Sequence, residues 1–117
     1  MVGGCSCGAI RYSLDEAPRE VLVCHCRDCR RATGAPSVAW LVQPLRSLAF
    51  VRGTPASRES SPGVTRVFCR GCGTQIARRD QAADHVAVTL ASLDDPSAIR
   101  PTRIAFEEQK LAWTSPM

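Results

Sequence analysis

Residues 68–76 read FCRGCGTQI, and the two cysteines of this stretch decide the fold. Cys69 and Cys72 form a C-x-x-C pair. In such a pair the backbone turns tightly enough for both sulfurs to face one metal ion, and Gly71 and Gly73 permit the unusual φ that the turn requires. Two thiolates complete only half of a tetrahedral zinc site. The other half is therefore expected from a distant part of the chain.

A spare pair of cysteines lies near the N-terminus, where Cys5 and Cys7 precede a glycine. Joining this pair to Cys69 and Cys72 gives a closed Cys₄ site that ties the N-terminus to the middle of the chain. A small β domain with few aromatic residues is stabilised by such a metal staple. We predict that these four cysteines hold a structural zinc ion.

The remaining three cysteines lie in VCHCRDCRR, residues 23–31. Cys24, Cys26 and Cys29 can reach one ion, because a strand that ends at Cys24 and a turn through Cys29 bring them together. Three protein ligands with an exchangeable fourth position are typical of catalytic zinc. His25 is an alternative fourth ligand, although neighbouring side chains of an extended segment point to opposite sides.

A competing partition of the seven cysteines is also possible. It joins Cys5 and Cys7 to two members of the central cluster and leaves Cys69 and Cys72 with the third. This partition splits a compact cluster without any gain. We therefore favour the division into four structural and three catalytic ligands, and expect two zinc ions per chain.

The charge of the central site indicates its chemistry. Zn²⁺ with three thiolates carries a net negative charge, so it is a poor Lewis acid and hydrolysis is disfavoured. A soft ion among sulfurs suits one more sulfur, and a thiol bound there as thiolate could attack an electrophile. Arg27, Arg30 and Arg31 lie among these cysteines and are predicted to bind the carboxylates of such a thiol. The alternative for these arginines is a solvated basic face.

The composition favours a cytosolic zinc protein. The 117 residues suit one domain over residues 1–117, and no apolar run approaches the roughly 18 residues of a membrane span. Seven cysteines, an odd number, are more typical of metal ligands in a reducing cytoplasm than of disulfides; a secreted chain that has lost its signal is the alternative. The formal net charge of +4 favours anionic partners only weakly. Phosphate-binding loops, dinucleotide fingerprints and serine-nucleophile motifs are missing.

The alternation of apolar residues and the spread of glycine and proline predict a mainly β fold of short antiparallel strands. The predicted strands are Ala9–Leu14, Glu20–Cys24, Ser37–Val42, Leu48–Arg52, Thr65–Cys69, Thr74–Arg78 and His85–Leu90. A short helix is predicted over Arg27–Thr33, with turns at Ser60–Gly63 and Asp94–Pro96. Trp40 and Trp113 are expected to pack in the core, with pocket lining as the alternative, and Phe50, Phe68 and Phe106 are expected to pack in the core.

The cysteine groups and their surroundings resemble the glutathione-dependent formaldehyde-activating enzyme (GFA) family, which includes centromere protein V. The matching stretches are GGCSCGAIRY at 3–12, CHCRDCRRATGAP at 24–36, RESSPGVTRVFCRGCGTQI at 58–76, LDDP at 93–96 and, more loosely, residues 101–113. The resemblance implies an Mss4-like zinc-binding fold with the same division of ligands. The chain departs from the family pattern at Ser37, Ile104 and Ala112, which predicts changes in the pocket near the open zinc.

The resemblance also implies a carbon–sulfur lyase that joins glutathione to formaldehyde, giving S-hydroxymethylglutathione. The expected partners are therefore a small thiol such as glutathione and an aldehyde. A membrane is not expected, and nucleic acid is disfavoured because the chain has only six aromatic residues and a modest net charge. One alternative is a non-catalytic zinc-binding module that contacts nucleic acid or protein through Arg27, Arg30, Arg31, Arg78 and Arg79. Another is a redox or metal-buffering protein in which the central cysteines act as a sensor.

Overall fold

Ten β-strands and one α-helix make up the regular structure of residues 1–114, which a computed structural model describes. The strands are β1 (Val2–Gly4), β2 (Arg11–Leu14), β3 (Glu20–Cys24), β4 (Val38–Pro44), β5 (Leu48–Arg52), β6 (Ala56–Ser61), β7 (Val64–Phe68), β8 (Gln75–Asp80), β9 (His85–Thr89) and β10 (Arg103–Ala105). The helix α1 spans Arg27–Thr33, and short 3₁₀ turns join several strands. Three residues of the predicted 1–117 domain, 115–117, lie outside the described residues, and the one-domain organisation stays a prediction.

The strands form two sheets. A three-stranded sheet has the order β1-β2-β5, and a seven-stranded sheet has the order β10-β3-β4-β9-β8-β7-β6. Neighbouring strands are antiparallel except β10 and β3, which run parallel. The mainly β prediction is therefore confirmed, with one parallel pair that the sequence pattern did not indicate.

The large sheet separates two apolar cores, because successive side chains of a strand point to opposite faces. In β4, Ala39 and Leu41 pack toward a core shared with the small sheet, whereas Val38 and Trp40 pack toward a second core beneath α1. Val86 and Val88 of β9 are buried in the first core, as their alternation predicted. The second core contains Cys24 and Cys29, so one face of the sheet carries the central cysteines.

The predicted elements agree closely with the observed ones in the cysteine-bearing part of the chain. The predicted bounds of β3, β5 and α1 coincide with the structure, and Gly34 ends the helix with a φ of 74°. The predicted turn at 60–63 is narrower, because Ser60 and Ser61 belong to β6. The sequence pattern did not indicate β1, β6 and β10.

The core prediction is wrong for Phe106, and of the two alternatives for Trp113, core or pocket lining, the structure shows pocket lining. Trp40 is buried at 3% exposure, but Trp113 is 73% exposed and Phe106 is 52% exposed. Both follow the last core residue of β10, Ala105, where the chain crosses the surface instead of entering either core. Among residues 1–114, no helix is long and apolar enough to span a bilayer. The cytoplasmic location stays a prediction.

Candidate metal centres

Four cysteines meet where the N-terminal segment approaches the β7–β8 connection. The sulfur atoms of Cys5, Cys7, Cys69 and Cys72 all lie within 4.8 Å of one another. The Sγ of Cys7 lies 3.6 Å from that of Cys5 and 3.8 Å from that of Cys69. Zn–S bonds of about 2.3 Å in a tetrahedron separate the sulfurs by about 3.8 Å, so this set fits a zinc ion. We call it the Cys₄ cluster.

Tight turns hold the Cys₄ cluster in place. The N–H of Gly73 donates to the carbonyl of Cys69 at 2.8 Å, and the N–H of Cys69 donates to the carbonyl of Thr74 at 3.0 Å. Gly73 has a φ of 79°, whereas Gly71, which was expected to share this role, has no positive φ. The N–H of Ser6 donates to the hydroxyl of Thr74 at 3.0 Å. This bond links the N-terminal pair directly to the second pair.

The other three cysteines form a second cluster, which we call the Cys₃ cluster. The sulfurs of Cys24, Cys26 and Cys29 lie within 4.8 Å of one another. Cys24 ends β3, and Cys26 caps α1 because its sulfur accepts a hydrogen bond from the N–H of Cys29 at 3.3 Å. His25 belongs to neither cluster: its ring is buried, and its backbone N–H donates to the carbonyl of Ala105 at 3.0 Å.

A buried arginine also contacts the Cys₃ cluster. Arg66 of β7 is only 1% exposed, and its Nη2 lies 3.8 Å from the Sγ of Cys29 and 3.8 Å from a carboxylate oxygen of Asp28. Contact with Cys24, followed by Cys26 and Arg66, lowers the pKa of Cys29 to about 5. Contact with Cys29 also raises the pKa of Cys24. The cluster therefore favours a thiolate at Cys29, as a metal ligand requires.

The Cys₃ cluster opens on a cavity of about 440 Å³, which we call the cysteine cavity. One part of its wall is apolar and another is charged. The lining residues are Glu20, Leu22, Cys24, Cys26, Asp28, Cys29, Trp40, Val42, Arg78, His85, Ala87, Arg103, Ala105 and Phe106. Within the described residues the Cys₄ cluster does not line this cavity. Of the Cys₄ cluster, Cys72 lines a separate surface pocket, so the two clusters open on different pockets.

The arginines predicted to bind substrate line a different surface. Arg27, Arg30 and Arg31 border a groove of about 310 Å³ together with Leu111 and Trp113, which we call the arginine groove. The cysteine cavity is instead lined by Arg78 and Arg103. The substrate-binding role of Arg27, Arg30 and Arg31 stays a prediction.

Sequence reasoning missed three residues near the Cys₃ cluster. Arg66 could have been noticed as a charged residue at an inward position of a strand, with Phe68 two residues later on the same side. Arg103 lies on β10, which is too short to show a pattern. His85, which was given no role, lines the cysteine cavity together with Ala87, two residues later on the same face of β9.

Two departures from the family pattern lie outside the lining of the cysteine cavity. Ile104 pairs with Val23 of β3, while its neighbours Arg103 and Ala105 line the cavity, so Ile104 lies on the other side of the strand. Ser37 lines a separate surface pocket beside Cys72. The expected change of the pocket is therefore not made by direct contact at these two positions.

Comparisons with known proteins agree with the cysteine pattern. The family model described as glutathione-dependent formaldehyde-activating enzyme matches residues 1–109. A crystal structure of a Rhodobacter sphaeroides protein superposes with a TM-score of 0.71 at 25% sequence identity, and the match covers 90% of this chain and 100% of the other. No curated protein matches the sequence.

Proposed function

The chain belongs to the glutathione-dependent formaldehyde-activating enzyme family, and from this premise we propose that it is a zinc-dependent carbon–sulfur lyase. Its substrates would be a thiol such as glutathione and an aldehyde such as formaldehyde, and its product an adduct such as S-hydroxymethylglutathione. One observation carries the proposal. The Cys₃ cluster opens on a cavity large enough for a small molecule, while the other four cysteines meet one another elsewhere.

Both clusters are proposed to hold zinc. Cys5, Cys7, Cys69 and Cys72 would complete a closed structural site, and the members of the Cys₃ cluster would provide three ligands. When bound there, zinc would supply a soft Lewis acid with one coordination position free for a substrate sulfur.

The reaction needs no oxidant or reductant. A bond forms between the thiol sulfur and the carbonyl carbon, the carbon–oxygen π bond breaks, and the thiol proton ends on the former carbonyl oxygen. The chain contributes charge compensation and exclusion of water to this step. Arg66, buried 3.8 Å from the sulfur of Cys29, offsets the negative charge of the thiolates. Leu22, Trp40 and Val42 form an apolar wall that limits water around the reacting groups.

The variant Cys26→Ser tests the proposal. Serine is a good N-cap, so it can replace the sulfur that accepts the N–H of Cys29 and preserve α1. It is a poor zinc ligand, so native mass spectrometry should show loss of one zinc ion per chain while circular dichroism is unchanged. Exchange NMR should show that catalysis of glutathione–formaldehyde adduct formation is lost. The matched variant Ser6→Ala changes an exposed residue beside the Cys₄ cluster and should retain both zinc ions and activity.

Two outcomes would contradict the proposal. If Cys26→Ser keeps both zinc ions and full activity, the Cys₃ cluster is not the reactive site. If the wild-type protein binds zinc at the Cys₄ cluster alone, the lyase function has no metal centre.

The arginine groove favours a second candidate function, a zinc-stabilised module that binds single-stranded nucleic acid. Arg27, Arg30 and Arg31 would contact phosphates, and Trp113, at 73% exposure, would stack a base. Salt-dependent binding of a fluorescent oligonucleotide, weakened by Trp113→Ala, would support this function. If binding is absent at micromolar protein and low salt, the candidate fails.

A further inference from the structure

The charged side chains that line the cysteine cavity are paired, with one exception. Glu20 forms an ion pair with Arg103. Asp28 lies 3.8 Å from the buried Arg66. Arg78 also lines the cavity, but within residues 1–114 its guanidinium has no hydrogen-bond or ion-pair partner. The cavity therefore contains one uncommitted positive charge.

The position of Arg78 makes its unpaired charge energetically unfavourable in the absence of a bound anion. Arg78 is half-buried on β8, and its cross-strand partners are Arg66 on β7 and Ala87 on β9. Two like charges directly opposite on antiparallel strands destabilise the pair. A cation that is partly removed from water also loses hydration that a partner would replace. A guanidinium in this position is prepared to bind an anion that enters the cavity.

Arg78 also lines the same cavity as the three cysteines of the Cys₃ cluster. Its cross-strand neighbour Arg66 reaches to 3.8 Å from the sulfur of Cys29. One small molecule could therefore place a sulfur at the cluster and an anionic group at Arg78. A planar carboxylate matches the two parallel N–H donors of a guanidinium.

We propose that Arg78 binds a carboxylate of the thiol substrate and thereby selects carboxylate-bearing thiols over neutral ones. This inference rests on the proposed lyase function and adds the residue that anchors the substrate. Leu22, Trp40 and Val42 would contact the aliphatic part of the thiol between its two ends. The anchor differs from the one predicted from sequence, because Arg27, Arg30 and Arg31 line the arginine groove instead.

The test compares two thiols of similar size, 3-mercaptopropionate and 3-mercaptopropan-1-ol, with formaldehyde as the electrophile. In Arg78→Met, KM for the carboxylate thiol should rise about 10- to 100-fold, as expected for loss of a hydrogen-bonded charge pair, with little change in kcat. KM for the neutral thiol should stay as in the wild type. Arg78→Lys should recover part of the loss, because it keeps the charge but not the planar fork.

Two further variants make the comparison specific. Arg79→Met is the matched control, because Arg79 is the next residue of β8 and is exposed on the other side of the strand. Its KM and kcat for both thiols should equal those of the wild type. Arg31→Met tests the prediction from sequence, which expects the carboxylate-specific loss in that variant. All variants are compared after native mass spectrometry has shown equal zinc content.

The same thiols are titrated into the zinc-loaded protein by calorimetry in the absence of aldehyde. If the carboxylate thiol binds the wild type more tightly than Arg78→Met but no adduct forms, carboxylate binding by Arg78 is supported and the lyase function is contradicted. If adducts form and Arg78→Met changes KM for both thiols equally or for neither, carboxylate binding by Arg78 is contradicted and the lyase function is supported. A carboxylate-specific loss in Arg31→Met alone also overturns the anchor. Absence of both binding and turnover overturns both proposals.

Discussion

Replacing Arg66 by methionine should weaken zinc binding at the Cys₃ cluster without affecting the Cys₄ cluster. The guanidinium of Arg66 lies 3.8 Å from the sulfur of Cys29 and is almost completely buried. Two unit charges at this distance attract by about 4 kcal/mol at an effective dielectric constant of 20. Part of this energy is lost because Arg66 also faces Asp28 and because the thiolate charge is shared with the metal. We therefore expect the 10- to 100-fold loss of metal affinity typical of residues that support ligands, or about 1.4–2.8 kcal/mol.

The assay is a competition titration of the apoprotein with zinc against a chromophoric chelator, which resolves a tight and a weaker site. Arg58→Met is the matched control, because Arg58 lies directly opposite Arg66 on β6 but is exposed. It should leave both affinities unchanged. The zinc affinity of the Cys₃ cluster in Arg66→Lys should lie between those of the wild type and Arg66→Met. If Arg66→Met folds and binds both ions with wild-type affinity, Arg66 does not compensate the charge of the cluster.

Three other predictions concern the scaffold and the rim of the cavity. Gly63 has a φ of 77° in open space, so Gly63→Ala should lower the free energy of unfolding by about 1–2 kcal/mol. Gly53→Ala should lower it further, because the added Cβ would lie 2.2 Å from a carbonyl oxygen. Urea unfolding with excess zinc measures both changes. A hydrogen-bonded ion pair with Arg11 holds the pKa of Asp94 below its usual value, so its stabilisation is present above pH of about 4 and is lost as the pH falls through the lower folded pKa. In Asp94→Asn, the melting temperature should therefore fall less on acidification than in the wild type. If the melting temperature changes with pH equally in both proteins, the ion pair does not stabilise the fold. Phe106 has a φ of 56°, so Phe106→Gly should be more stable than Phe106→Ala by about 1 kcal/mol in the same urea assay, and the reverse order would refute the strain.

The grouping of the cysteines could be predicted because spacing limits which sulfurs can meet. The turn through Cys69 and Cys72 is a local feature, and a second pair was needed to complete it. The strand Glu20–Cys24 and the helix Arg27–Thr33 also follow from local signals, namely a β-branched run and a helix that ends at glycine. These signals lie within a few residues of the structure that they specify.

The elements that the sequence pattern did not indicate depend on distant partners. β10 is three residues long and pairs in parallel with β3, about eighty positions earlier in the chain, so no local pattern indicates it. β6 has no buried residue and lacks an apolar alternation. The charges of the cysteine cavity were missed for the same reason, because Arg78 and Arg103 reach it only through the strand order of the large sheet.

The positions of Arg66 and Cys69 suggest that the two clusters are coupled. Arg66 contacts the Cys₃ cluster, and Cys69, three residues later, belongs to the Cys₄ cluster. The turn after β7 is closed by hydrogen bonds at Cys69 and leads directly into β8, which carries Arg78. A metal at the Cys₄ cluster would therefore hold Arg66 against the Cys₃ cluster and Arg78 in the wall of the cavity. Removal of that ion should weaken zinc binding at the Cys₃ cluster even when its own ligands are intact. In Cys72→Ser, the competition titration should show loss of the first site and a lower affinity at the second, and an unchanged second site would show that β7 keeps Arg66 in place unaided.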